Sequence, residues 1–304
     1  MTAALSFEGV RKRFGSNQAL DGLSFRIPEG TVAGFVGHNG AGKTTAFSIV
    51  SGFLPMDAGT FSVFEEVDPT PQELKGRLGV LPQDAALPER HTPFELLAHL
   101  GRLQGLAHRT ARDEAARVLT LVGLKDRQNA LIATLSHGMR RRVAVATALT
   151  GNPALVLLDE PLAGLDPVQA HALRDALAAL RGEQTLVVSS HNLSELERLC
   201  DWVVMLKQGR CTRQGTVENV SGEQEVVRWS IVGTAPLDAL HAALPDHRFV
   251  EDAGAVVQYP PAEADLDATS VTVMATLAAA GVPLRGLVRG MGLEQRFIDD
   301  LGTS

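Results

Sequence analysis

The sequence of 304 residues predicts an α/β fold followed by a small α+β domain. Two uninterrupted apolar runs, at 155–158 and 185–188, lie on either side of a helix-like segment at 171–181. Such runs are typical of strands that a parallel sheet buries on both faces. After about residue 220 the pattern changes to shorter strand-like and helix-like segments, which indicates a second domain.

The first half of the chain supports the α/β prediction. Short β-prone pieces lie at 5–10, 23–27 and 31–36, and the last of them leads into a glycine-rich turn and a helix-like segment. Apolar residues at helical spacing run through 93–121. We therefore predict a helical insertion between the first strands and the run at 155–158.

The last third of the chain predicts the small α+β domain. Strands are predicted at 225–232 and 255–258, and helices at 237–244 and 267–280. Polar residues between 219 and 224 have the composition of a linker. We therefore predict domains at 1–220 and 221–304.

Composition excludes several classes of protein. With 45% hydrophobic and 21% charged residues, the chain is not dominated by disorder. A formal net charge of −7 provides no general field for nucleic acid, so we expect no nucleic-acid partner. Cys200 and Cys211 belong to no CxxC or Cys/His cluster, and we expect both to be buried free thiols in a reducing cytoplasm.

The chain is expected to remain inside the cell and outside the bilayer. Residues 1–5 contain no basic segment followed by an apolar run, which a secretory signal requires. No apolar stretch approaches the roughly 20 residues that cross a membrane. Any movement of a solute across a membrane would therefore need another polypeptide.

A phosphate-binding motif follows the β-prone piece at 31–36. The pattern G-x-x-x-x-G-K-[ST] is filled by Gly37, His38, Asn39, Gly40, Ala41, Gly42, Lys43 and Thr44, and Thr45 follows. Glycines let backbone N–H groups approach phosphate oxygens, and the next helix presents its positive end. Lys43 suits the β- and γ-phosphates and Thr44 suits Mg²⁺. The alternative is a glycine-rich turn that binds nothing.

Two carboxylates end the apolar run at 155–158. Asp159 can hold Mg²⁺, and Glu160 can polarise the attacking water as a general base. His191 follows the predicted strand at 186–190, so we place it at the same sheet edge as a residue that senses the γ-phosphate. The alternatives are a solvated strand end for the carboxylates and a structural role for the histidine.

The stretch 135–142, Leu-Ser-His-Gly-Met-Arg-Arg-Arg, resembles the signature sequence of ABC ATPases. The phosphate loop, Gln83, the Ala-Gly-Leu-Asp of 163–166 and the Ser-His of 190–191 match that family in order and spacing. The resemblance covers residues 1 to about 220. It implies a cassette with a RecA-like core, an antiparallel β subdomain and a helical subdomain at about 89–147.

The resemblance also implies a role for five further residues. The family works as a head-to-tail pair with ATP between the subunits, so Ser136 and Gly138 would face the ATP held by a second copy. Gln83 would contact Mg²⁺ or water and report to the membrane partner. Phe14 would stack on adenine, with a core phenylalanine as the alternative. Asp166 would link the two sites, with a turn aspartate as the alternative.

Three residues depart from the family pattern. His38 replaces a residue that is often proline, His137 replaces the second glycine of the signature, and Met139 replaces glutamine. Methionine there resembles the exporter branch of drug, polysaccharide and copper-maturation ATPases, and residues 221–304 resemble the extra domain of that branch. The arginines at 140–142 are expected to contact solvent or carboxylates rather than nucleic acid.

The resemblance implies an ATPase that energises a separate membrane permease, with ATP and Mg²⁺ as cofactors and a homodimeric pair of subunits. Its expected place is the cytoplasmic face of the cell membrane, attached through the permease, and export is the expected direction. One alternative is a soluble ABC ATPase that acts on a ribosome or DNA. Another is a phosphate-loop kinase that transfers the γ-phosphate to a substrate.

Overall fold

The computed structural model describes residues 2–190, 192–221, 226–252, 254–261 and 264–289. The chain divides into two compact units, Met1–Val217 and Glu218–Ser304. Each unit contains its own cluster of buried apolar side chains. Each therefore has the main stabilising feature of an independent domain.

The first unit contains most of the secondary structure. Its strands are β1 (Ala3–Phe14), β2 (Asn17–Pro28), β3 (Val32–Val36), β4 (Ala58–Val63), β5 (Glu66–Val67), β6 (Leu78–Leu81), β7 (Leu155–Asp159), β8 (Thr185–Ser190), β9 (Trp202–Lys207) and β10 (Arg210–Thr216). Its α-helices are α1 (Lys43–Val50), α2 (Pro93–Leu103), α3 (His108–Leu121), α4 (His137–Leu149), α5 (Pro167–Ala178) and α6 (Leu193–Leu199). A short helix, α7 (Val217–Ser221), follows.

Six strands among the described residues form the central sheet of this unit, in the order β10-β9-β3-β8-β7-β6. The pairs from β9 to β6 are parallel, and β10 pairs with β9 in the antiparallel direction. All residues of β3, β7 and β8 are buried, as uninterrupted apolar runs predict. The parallel sheet is confirmed, and the antiparallel edge strand is an addition that sequence periodicity did not indicate.

A second, antiparallel sheet of the first unit has the order β2-β1-β4-β5 among the described strands. Its aromatic side chains join one core with those of the central sheet. Phe7 and Phe25 stack with ring centroids 4.7 Å apart, Phe25 lies 5.3 Å from Phe35 of β3, and Phe35 stacks on Phe47 of α1 at 5.5 Å. This core anchors both ends of the loop that connects β3 to α1.

The predicted helical insertion at 93–121 is present and consists of the two helices α2 and α3. Thr92 caps α2 by accepting a hydrogen bond from the Glu95 N–H, while the Glu95 carboxylate accepts one from the Thr92 N–H. The chain leaves α2 through Gly105, whose φ of +105° a side chain would oppose. The third helix of this region, α4, begins at the Ser136 N-cap.

The second unit is a small α+β structure. Its elements are β11 (Val227–Ile231), α8 (Leu237–Ala243), β12 (Arg248–Asp252), β13 (Ala255–Tyr259), α9 (Leu266–Ala279) and β14 (Leu284–Arg289). The described strands form an antiparallel sheet in the order β12-β13-β11-β14. Its core packs Trp229 of β11 with Leu240 of α8 and Val273 of α9.

One sequence prediction for this region differs from the structure, and two strands were not predicted. Asn219, predicted in a linker, lies in α7, and the sequence predicts neither β12 nor β14. Short strands with mixed burial, such as the single buried position of β12, give a weak period-two signal. The predicted strand residue Glu225 lies outside the described residues.

None of the described helices combines the length and apolar character that crossing a bilayer requires. Both cysteines are free thiols. Burial raises the pKa of Cys200, and it raises the pKa of Cys211 to about 11. Both groups are therefore protonated at neutral pH, which makes them poor nucleophiles.

Candidate nucleotide-binding site

A cavity of about 320 Å³ opens at the carboxyl ends of the central strands. It is lined by Phe14, Asn17, Ala19, His38, Asn39, Gly40, Gly42, Lys43, Thr44, Thr45, Gln83, Asp159 and Glu160. Ligands of open parallel sheets bind at this edge because the loops that follow the strands meet there. The fold thus brings together eleven residues that the sequence assigned to one site; Asn17 and Ala19 were not among them.

The loop between β3 and α1 is packed so closely that several glycines are required. A Cβ atom at Gly37 would lie 2.7 Å from the Ala41 Cβ, and one at Gly42 would lie 2.6 Å from the Leu20 Cδ2. Gly42 also has a φ of +108°. The glycines therefore allow a tight loop whose backbone approaches the cavity.

Lys43 spans this loop at the start of α1. Its ammonium donates hydrogen bonds to the carbonyl oxygens of Gly37 and His38, the latter at 3.2 Å. The residue is only 8% exposed, and burial lowers the pKa of its amine while Glu160 and Asp159 act in the opposite direction. A desolvated cation held at the cavity wall suits a polyanionic ligand.

Asp159 joins the phosphate loop to the central strands. Its Oδ2 accepts a hydrogen bond from the Thr44 hydroxyl at 2.8 Å, and its Oδ1 accepts one from the Ser189 hydroxyl of β8. Ser189 was not a predicted site residue. Its position directly opposite Asp159 in the parallel register decides its role, and no motif around it indicates that position.

Glu160 follows β7 in a left-handed backbone conformation, with a φ of +52°. This conformation is costly for a residue with a side chain and is usually stabilised by its surroundings. The Glu160 N–H donates to the Ser189 hydroxyl at 3.0 Å. The sharp turn after the strand leaves the Glu160 side chain at the cavity beside Thr44 and Lys43.

The remaining predicted residues lie elsewhere. Ser136 caps α4 by accepting a hydrogen bond from the Met139 N–H at 3.2 Å, and Asp166 caps α5 by accepting one from the Gln169 N–H at 2.9 Å. A Cβ atom at Gly138 would lie 2.2 Å from the Gln169 Oε1, so the two helix starts are in contact. These residues do not line the cavity, and His191 lies outside the described residues.

Comparison with known proteins decides the family. A family model described as ABC transporter matches residues 20–163. The linearmycin resistance ATP-binding protein LnrL of Bacillus subtilis (strain 168) is 36% identical over 214 residues, which cover 70% of this chain and 69% of that protein. This chain belongs to the ABC transporter family. Its family, its ATP-binding transporter role and its ATPase activity are therefore confirmed.

Further relatives agree with this assignment. Nod factor export ATP-binding protein I of Ralstonia nicotianae is 38% identical to this ABC ATPase, covering 70% of the chain and 67% of that protein. A solved ABC transporter cassette in its ADP conformation has a TM-score of 0.64 and 25% identity, covering 72% of this chain and 93% of that one. A nucleotide-free cassette has a TM-score of 0.63 at 25% identity, covering 71% and 92%. The predicted cassette fold is confirmed.

Proposed function

We propose that this ABC ATPase hydrolyses ATP in the cavity at the end of β3 and β7 and uses the energy to drive export through a separate membrane permease. The observation that carries the proposal is the 2.8 Å hydrogen bond between the Thr44 hydroxyl and Asp159. It joins the phosphate loop to the acidic strand end, so both parts can act on one triphosphate.

The residues of the cavity have distinct roles in this proposal. Backbone N–H groups of residues 37–45 and the Lys43 ammonium bind the phosphates, and Phe14 stacks on adenine. Glu160 orients water, whose oxygen bonds to the γ-phosphorus as the bond to the bridging oxygen breaks. The proton of the water passes to the Glu160 carboxylate, and ADP and phosphate leave.

Mg²⁺ fits the oxygens that the site offers. Thr44, Asp159 and Gln83 would hold it, since hydroxyl, carboxylate and amide oxygens are its preferred ligands. The described residues contain no cluster of three or more His, Cys, Asp or Glu side chains that could hold a metal. Phosphate oxygens would therefore complete the coordination, and the ion would neutralise charge that develops on the phosphates.

A second copy of the chain completes the site in this proposal. Ser136, Gly138 and Asp166 lie at helix starts outside the cavity, and a helix start favours a negatively charged ligand. We propose that Ser136 and Gly138 face the ATP of the partner copy, that Asp166 links the two sites, and that His191 senses the γ-phosphate.

We further propose that the pair binds a permease near Gln83, on the cytoplasmic face of the membrane. The relatives named for linearmycin resistance and Nod factor export favour export. They also favour a transporter subunit over an ATPase that acts on a ribosome or DNA. Purification of the tagged chain from cells tests this point: a membrane protein in the eluate supports the proposal, and ribosomes or DNA in its place contradict it.

Replacement of Glu160 by glutamine tests the chemistry. We expect Glu160→Gln to lower the rate of phosphate release by about 100-fold or more and to retain ATP-bound pairs, because binding remains while water activation is lost. Phosphate release and light scattering measure the two effects. Glu29→Gln, which removes one exposed carboxylate, is the control. Unchanged hydrolysis by Glu160→Gln would contradict the proposed base.

A further inference from the structure

Arg141 connects three parts of the first unit. It lies in the second turn of α4, and its Nη2 donates to the carbonyl oxygens of Asp159 at 2.7 Å and Glu160 at 2.6 Å. Its Nη1 donates to the carbonyl oxygen of Gln83 at 3.2 Å. One guanidinium thus joins three segments: α4, which contains most of the signature sequence and is called the signature helix below, the end of β7 and the loop after β6.

These contacts constrain the backbone on which the proposed base is mounted. The Ser189 hydroxyl holds the N–H of Glu160, and Arg141 holds its carbonyl oxygen. Both anchors act on a residue whose φ of +52° is unfavourable for a side chain. Because rotation about this backbone changes the direction of the Cα–Cβ bond, the two anchors constrain the position from which the Glu160 side chain extends.

Arg141 occupies an environment that is costly for a cation. Burial lowers the pKa of its guanidinium, although Asp159, Glu160 and Asp84 act in the opposite direction. In the described structure its Nε is buried and has no hydrogen-bond partner. A buried polar atom without a partner costs free energy, so stability alone does not favour this placement.

The two neighbouring arginines make different contacts. Arg140 donates to the carbonyl oxygen of Leu135, just before α4. Arg142 donates to the carbonyl oxygens of Val122 and Gly123, which follow α3. Among the described residues, Arg141 is therefore the member of the three whose hydrogen bonds reach the catalytic strand end.

We infer that Arg141 is a positioning residue for ATP hydrolysis, which holds Glu160 in a fixed geometry relative to the signature helix. The inference rests on the proposed function of Glu160. Movement of α4 would be transmitted through this guanidinium to the carboxylate. The same contact would hold the Glu160 carboxylate in position for water activation only when the signature helix is packed against the end of β7.

The full-length Arg141→Met variant tests the inference. It keeps the apolar stem and removes every donor. We expect kcat to fall by about 100-fold, since a displacement near 1 Å of a catalytic group has that effect. We expect the dissociation constant for ATP, measured by nucleotide fluorescence, to change by less than about threefold, because the described hydrogen bonds of Arg141 do not reach the phosphate loop. Arg140→Met removes an adjacent arginine of α4 and serves as the control.

A double-mutant cycle separates positioning from a general structural effect. In the Glu160→Gln background, adding Arg141→Met should change single-turnover hydrolysis by less than about threefold, because no carboxylate remains to be positioned. An equal proportional loss in both backgrounds would overturn the inference. So would wild-type kcat in Arg141→Met.

A second variant covers the case in which Arg141→Met does not fold. Arg141→Lys keeps the charge, but one ammonium cannot match the planar fork that reaches the separate carbonyls. We expect a thermal midpoint close to wild type and a kcat about tenfold lower; an unchanged kcat would overturn the inference. If Glu160→Gln hydrolyses ATP at the normal rate, both the proposed role of Glu160 and this inference fail. If Glu160→Gln loses hydrolysis but the Arg141 variants hydrolyse ATP at the normal rate, this inference alone fails.

Discussion

The polar side chains at the cavity of the first unit and those in the core of the second unit lie in opposite surroundings. In the first unit, Lys43, Thr44, Asp159 and Glu160 collect around an open cavity. In the second unit, Trp229, Gln258 and His247 form a closed hydrogen-bonded chain inside the core, with exposures of 0%, 0% and 6%. Polar groups that face a cavity remain available to the ligand proposed here, whereas polar groups that satisfy one another inside a core stabilise the fold.

The hydrogen bonds among Trp229, Gln258 and His247 have a defined donor-to-acceptor direction. The Trp229 Nε1–H can only donate, and it donates to the Gln258 Oε1 at 3.0 Å. The Gln258 amide nitrogen must then be the donor to the His247 Nδ1, 2.9 Å away. His247 therefore has to present an unprotonated Nδ1, which means a neutral ring.

Removal of the Lys43 ammonium has the largest expected effect and sharpens this contrast. We expect Lys43→Met to lower ATP hydrolysis by about 100- to 1,000-fold, because it removes a preorganised positive charge from the phosphates. The free energy of unfolding should not fall, since burial already disfavours this cation. Phosphate release and urea unfolding measure the two quantities, with the exposed Lys75→Met as control. A parallel loss of stability would contradict the assignment of Lys43 to the ligand.

Removal of the Gln258 amide should produce the opposite result. We expect Gln258→Leu to lower the free energy of unfolding of the second unit by about 1–3 kcal/mol, because it leaves the Trp229 donor buried without a partner. The rate of hydrolysis per folded molecule should not change. Trp229 fluorescence in a Trp202→Phe background reports on the second unit, since the chain has two tryptophans. Hydrolysis that falls as far as in Lys43→Met would break the comparison.

Acidification just below neutral pH should have a smaller effect, which arises from His247 in the second unit. Burial lowers the pKa of His247, and Asp246 opposes this shift. The unfolded chain, with an ordinary histidine pKa near 6.5, therefore binds more protons than the folded unit as the pH falls. We expect full stability above about pH 6.5 and a progressive loss below it, measured by thermal unfolding with the same fluorescence reporter. The His247→Gln variant should lose this dependence; if it keeps the full dependence, another group is responsible.

Much of the candidate nucleotide site could be predicted because its residues are close in sequence. The phosphate loop and the Asp159–Glu160 pair each lie in one short segment with a strand before it, and parallel strands bring their carboxyl ends to one edge. Ser189 and Arg141 could not be recognised as contacts of that pair. Ser189 meets Asp159 through the strand register, and Arg141 meets Glu160 through the packing of α4, so neither contact leaves a local pattern.

Prediction was weaker in the second unit for a related reason. The uninterrupted apolar runs of β7 and β8 are visible in the sequence because both strand faces are buried. In β12 only Phe249 is buried, so the strand resembles a loop. The partnership of Gln258 with Trp229 and His247 joins residues 29 and 11 positions apart, and none of the three belongs to a motif.

Local chemistry in the chain was sufficient to indicate the phosphate loop and the acidic strand end, and the resemblance of residues 135–142 to the ABC signature implied the cassette. Glycines, a lysine and carboxylates at these spacings indicate a phosphate-binding loop and its metal-binding strand end, and this indication depends little on distant residues. The direction of the Glu160 carboxylate, the anchors on its backbone and the closed polar chain of the second unit arose on folding. Those features are contacts between segments far apart in sequence, and such contacts exist only after the sheet register and helix packing have formed.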